Sequence, residues 1–70
     1  MLSGKIDSYD QYHGFGYIKG DNGEKLFFHV SGLLNHNDVP KVGKMVNFVV
    51  AYGARGPQAA KITLNNHNSL

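Results

Sequence analysis

Apolar and polar residues alternate in five short stretches, separated by Gly, Asn, Asp and Pro. A period of two belongs to a β-strand whose faces meet different surroundings. The alternation predicts strands over Gly4–Tyr9, Gly14–Lys19, Lys25–Val30, Met45–Tyr52 and Gln58–Leu64. Apolar residues never keep the i, i+3, i+4, i+7 spacing for more than about one turn, so no long helix is expected. Ser31-Gly32-Leu33-Leu34 suits a single helical turn with Ser31 as its cap. Asp21-Asn22-Gly23 predicts a tight turn that joins the second and third strands as an antiparallel hairpin. The longest connection is Asn35 to Lys44, where Pro40 blocks regular pairing. Gly53-Ala54-Arg55-Gly56-Pro57 reads as a second, flexible connection.

One parity of the strands supplies a core: Ile6, Ile18, Leu26, Phe28, Val46, Phe48, Val50 and Ile62, with Leu33 as a plug at one end. Five short strands with one apolar face bury it by curling, so the fold class is all-β and the architecture a small closed or nearly closed barrel. Residues 1–65 form the one domain that 70 residues allow, and 66–70 read as a polar, disordered tail.

The other parity carries rings. Phe15 and Tyr17 share a face of the second strand, and Phe27 and His29 share a face of the third. Pairing the two strands lays four flat side chains side by side. Core packing is where most aromatics go, but Ile18, Leu26 and Phe28 already claim the inner face. A row of outward rings edged with Lys and Arg suits unpaired bases, each stacked base contributing about 1–3 kcal/mol.

Composition narrows the chemistry. There is no Cys, and the four His residues sit at irregular spacings, so neither a disulfide nor a metal site is expected. No cofactor is implied. Gly14 and Gly16 precede no helix and no Gly-Lys-Ser follows, so they are not a phosphate loop. Asp7 and Asp10 flank Ser8, but no nucleophile–base order accompanies them, and an enzyme is not expected. The N-terminus has no apolar signal region and no run is long enough to span a bilayer, which predicts a cytoplasmic location and no membrane partner. A net charge of +2 is compatible with nucleic acid without arguing for it.

Three ordered motifs carry a resemblance: Gly14-Phe15-Gly16-Tyr17-Ile18, Phe27-Phe28-His29-Val30 followed by Ser31, and Gly53-Ala54-Arg55-Gly56-Pro57-Gln58-Ala59-Ala60. Over about Leu2–Leu64 the chain resembles the cold-shock protein family, whose fold is a five-stranded antiparallel OB-type β-barrel. The resemblance implies binding of single-stranded DNA or RNA, preferably pyrimidine-rich, by an RNA chaperone or a regulator of transcription or translation. It also maps the family's binding face onto Lys5, Tyr9, His13, Phe15, Tyr17, Phe27, His29, Arg55 and Pro57. A monomer is expected.

The chain departs from the family where a Lys-Trp-Phe-Asn run is usual and Asp7-Ser8-Tyr9-Asp10 stands instead. His13 replaces a Lys, Val30 an aromatic, and Asn35–Asp38 lacks the usual Phe. These departures leave a second reading open: a barrel used for protein interaction, with nucleic-acid affinity too weak to matter.

Overall fold

The computed structural model describes residues 1–64; residue 65 and the predicted tail lie outside the described residues. Five strands are present: β1 (Leu2–Asp10), β2 (Phe15–Gly20), β3 (Lys25–His29), β4 (Met45–Gly53) and β5 (Gly56–Leu64). They close a barrel in the order β1-β2-β3-β5-β4, with β4 paired back onto β1. The pairings are antiparallel apart from β3 with β5, which meet in parallel at Phe27 and Gln58.

The core is Ile6, Ile18, Phe28, Leu33, Val46, Phe48, Ala59 and Ile62, all buried. Leu33 closes one end as expected, bridging to Ile62. Leu26 and Val50, expected in the core, are only partly buried against it, and Ala59 takes a place the apolar pattern did not single out.

Local chemistry sets the element ends. Gly14 has φ +74, so β2 starts one residue later than the alternation suggests. The helical turn is a 3-10 turn over Val30–Gly32, one residue earlier than expected. Its cap is His29, whose side chain accepts from the Ser31 N–H, so Ser31 is capped rather than capping. Leu33 is already extended because it must reach the core, and this ends the turn. The segment read as a flexible connection is a tight hairpin in which Gly53 pairs with Gly56 and Ala54-Arg55 forms the tip. Gly56, at φ +91, makes that reversal possible.

A bulge in β1 decides which side chains face outward. Ile6 pairs with Ile18, yet Ser8 pairs with Tyr17, so Asp7 is the extra residue. Beyond it, Tyr9 pairs with Gly16, which pairs with Phe28. The missing side chain at Gly16 lets the Tyr9 and Phe28 rings stack across it, 6.0 Å apart and 16° from parallel. A Cβ on Gly16 would run into the Ser8 carbonyl oxygen and the Tyr9 backbone.

The β2–β3 turn closes through Gly23 N–H to the Gly20 carbonyl and Gly20 N–H to the Glu24 carbonyl. Asn22 Oδ1 accepts from the Glu24 N–H. Gly23 has φ +88 and open space around it. The penalty of Gly23→Ala therefore lies in the backbone alone, about 1–2 kcal/mol. Urea denaturation is expected to show that loss, with oligonucleotide binding of the folded variant unchanged; an unshifted midpoint would contradict this account of the turn.

Candidate nucleic-acid interface

The β2–β3 register builds the site. Phe15 pairs with His29 and Tyr17 with Phe27, so all four face outward, as the period of two requires. Phe15 and Phe27 lie with centroids 5.7 Å apart, and Tyr17 meets Phe27 edge-on at 6.1 Å. His13 extends the row from the β1–β2 turn, 5.9 Å from Phe15. Tyr17 is 43% exposed. Phe15 and Phe27 are half-buried among their neighbours and, with His29, Arg55 and Gln58, line a shallow depression.

Arg55 comes from the β4–β5 hairpin tip. Its guanidinium carbon lies 5.3 Å from the centre of the Phe27 ring, within cation–π range. The hairpin therefore places a cation at the rings without occupying the strand positions that present them.

Two predicted site residues are elsewhere. The Asp7 bulge turns Tyr9 to the inner side, where it covers Phe28 at the barrel edge. Pro57 pairs with Tyr52, while its neighbour Gln58 pairs with Phe27. Alternation thus sends Pro57 away from the rings and brings Gln58 to them. Gln58 was not singled out in the sequence, and the parity of β5 was the signal that could have found it.

A row of cations borders the rings. Lys5 pairs with Lys19, and Lys19 with Lys25, one strand apart each time. Like charges directly opposite are unfavourable, and the row is only partly relieved: Asp7 Oδ2 lies 3.2 Å from Lys25 Nζ. Lys19 and Lys25 read in the sequence as general surface charge; the register places them beside Tyr17 and Phe27.

The histidines are held differently. His13 Nδ1–H donates to Asp10 Oδ2 at 2.8 Å. Asp10 also accepts from the Tyr12 and His13 backbone N–H groups. The bond from the His13 side chain is the main cause that holds the Asp10 carboxyl below its ordinary 3.8; desolvation opposes it, and the backbone donors add smaller lowering effects. A lowered carboxylate pKa means that this support of the turn is complete at neutral pH and fades only as the pH falls through that lowered value. His29 Nδ1 accepts from the Ser31 N–H at 3.1 Å. An amide N–H can only donate, so the neutral imidazole carries its proton on Nε2 and offers it as a donor.

Rings can stack on bases, the cations can meet phosphates, and the His29 Nε2–H and Gln58 amide can bond to base edges. Among the described residues no group of His, Asp or Glu could hold a metal ion. None of the described helices is long and apolar enough to cross a membrane.

Comparison with known proteins agrees with this geometry. Residues 2–65 match the 'Cold-shock' DNA-binding domain. The chain is 36% identical to the cold shock-like protein CspD of Bacillus cereus over 93% of its own length and 100% of that protein's. It is 38% identical to a major cold shock protein of Streptococcus pyogenes, over 90% of its length and 96% of the relative's. Its fold superposes on drosophila Unr CSD456 with a TM-score of 0.78 at 27% identity, covering 99% of this chain and 28% of that longer one. The chain belongs to the cold-shock domain family, whose members bind single-stranded nucleic acid and catalyse no reaction.

Proposed function

We propose that this protein binds single-stranded RNA or DNA by stacking bases on Phe15, Tyr17, Phe27 and His29, as a cytoplasmic, monomeric RNA chaperone or regulator of transcription or translation. The observation that carries the reading is the unbroken outward row of rings on β2 and β3. A buried core needs no such row, and Phe28 already fills the inner face. Lys5, Lys19 and Arg55 would meet phosphates. His13 is a weaker contact, because Asp10 holds its ring and sets a negative charge beside it. Stacking accepts every base, so selectivity should be modest. A preference for pyrimidines would come from donors such as His29 Nε2–H meeting carbonyl oxygens on small rings. Binding single strands shifts the pairing equilibrium and melts weak hairpins by mass action, without an energy source.

NMR titration with oligo-dT, oligo-U and oligo-dA tests this. The expected result is saturable binding that shifts Phe15, Tyr17, Phe27 and His29, weakest with oligo-dA. With two or three phosphate contacts, the affinity should fall with salt at a log–log slope of about −1.4 to −2.1. Asp7, Ser8 and Asp10 at the ring face favour the second reading, a barrel that recognises protein. No shift at millimolar oligonucleotide in low salt would leave that reading standing.

A further inference from the structure

A second concave site opens at one end of the barrel. Leu2, Leu26, Phe48, Val50, Tyr52 and Pro57 line a cavity of about 330 Å³ there. Register explains it. Leu2 pairs with Phe48, and Tyr52 with Pro57, so these side chains keep the inner parity beyond the point where the wall closes. Tyr52 is 80% exposed and Leu2 51%. The volume lies near the low end of the roughly 300–1,000 Å³ usual for ligand sites.

The rim is acidic. Asp21 and Glu24, from the β2–β3 turn, also line it, and no Lys or Arg takes part. The other charged pairs lie elsewhere: Asp7 engages Lys25 and Asp10 engages His13. Among the described residues neither Asp21 nor Glu24 is in an ion pair. The site shares no lining residue with the ring depression.

We infer that this barrel mouth docks a basic peptide segment of a protein partner, seating an apolar side chain in the cavity with Lys or Arg beside Asp21 and Glu24. Nucleic acid does not suit it, because phosphates would face two carboxylates and no cation. The chain's own Val39–Lys44 segment, with exposed Val39 and Val42 beside Lys41 and Lys44, has similar chemistry. That contact between copies would be head-to-tail and would build a ring or a filament rather than a two-fold dimer, so a separate partner suits the expected monomer better. Because the two sites are separate, a docked partner leaves the rings free, and the barrel could hold a protein and a single strand together.

The probe is acetyl-Lys-Lys-Phe-Lys-Lys-amide, followed by amide shifts of the full chain. We expect shifts at Ser3, Gly20, Asp21, Asn22, Glu24 and Tyr52, with and without saturating oligo-dT. Replacing both Asp21→Asn and Glu24→Gln should weaken the peptide about twofold to thirtyfold, as two exposed ion pairs allow, with oligo-dT binding retained. Tyr52→Ala should weaken it through the apolar wall alone. A peptide with Glu in place of Lys, or Ala in place of Phe, should not bind. Equal binding of either control, shifts confined to Phe15, Phe27 and His29, or no shift at millimolar peptide would overturn the proposal. So would concentration-dependent shifts at the same residues without peptide, which would identify a second copy as the occupant.

Discussion

Replacing both Phe15→Ala and Phe27→Ala is expected to abolish oligonucleotide binding while the barrel stays folded. Each ring would stack one base at about 1–3 kcal/mol, so the pair would cost about 2–6 kcal/mol if the effects added. At about 1.4 kcal/mol per tenfold, that is a loss of about 30-fold to 20,000-fold. The two rings touch, with centroids 5.7 Å apart, so simple addition will fail to some degree and both single variants belong in the experiment.

The stability side of this prediction is what gives it force. The Phe15–Phe27 contact is half-exposed, and such an aromatic pair contributes about 0.5–1.5 kcal/mol beyond burial. Phe28, one position along the same strand, is completely buried. Phe28→Ala should cost about 3–5 kcal/mol of stability, a large share of what a 70-residue barrel has. Neighbours on one strand thus separate two roles. If the double variant binds as the parent does, the rings serve something other than bases and the protein-interaction reading takes their place. If it unfolds as Phe28→Ala does, the outward rings are structural after all. Urea denaturation alongside fluorescence titration distinguishes the two failures.

How much of this was legible in the sequence depended on whether a strand keeps its period. β2 and β3 do, and there the alternation placed all four rings correctly. β1 does not. Its bulge at Asp7 adds a residue without any Gly or Pro to announce it, so parity counted from Ile6 cannot say which way Tyr9 faces. The motif match placed Tyr9 with the rings for the same reason, since a motif carries order along the chain and not direction. Pro57 stands apart from the rings for a different reason. It sits in a matching segment, but the pairing of β5 with β3 selects Gln58, and that pairing joins residues far apart in sequence. The cation row was hidden in the same way. Lys5, Lys19 and Lys25 are ordinary surface lysines until three strands bring them into line. The β2–β3 turn was legible because Asn22-Gly23 supplies the φ value that other residues rarely adopt, whereas Gly56 needs the same freedom in a segment whose run of small residues read only as a flexible connection.

The bulge also places the chain's main departures from its family at the edge of the rings, which leads to the second large effect. Ser8 pairs with Tyr17 and Asp7 is exposed beside it. A Trp at position 8 would therefore continue the ring row, and Ser8→Trp should tighten oligo-dT binding by about 1–3 kcal/mol, roughly 5-fold to 150-fold. Its salt dependence should not change, because a ring adds no phosphate contact. Asp7→Lys acts on the other component. Asp7 now sits 3.2 Å from Lys25, so it both repels phosphate and occupies a cation. The surface pair itself contributes only about 0.2–1 kcal/mol to stability, so the fold should tolerate its loss. Freeing Lys25 and adding a Lys should steepen the log–log salt slope by about 0.7–1.4. The double variant should show both changes together. Measuring affinity over a range of salt separates them. A Trp variant whose affinity does not rise would mean that bases do not pass over position 8, and an unchanged slope with Lys at position 7 would mean that the backbone runs along another edge. If neither substitution has any effect, the explanation of these departures as lost stacking and lost charge is wrong.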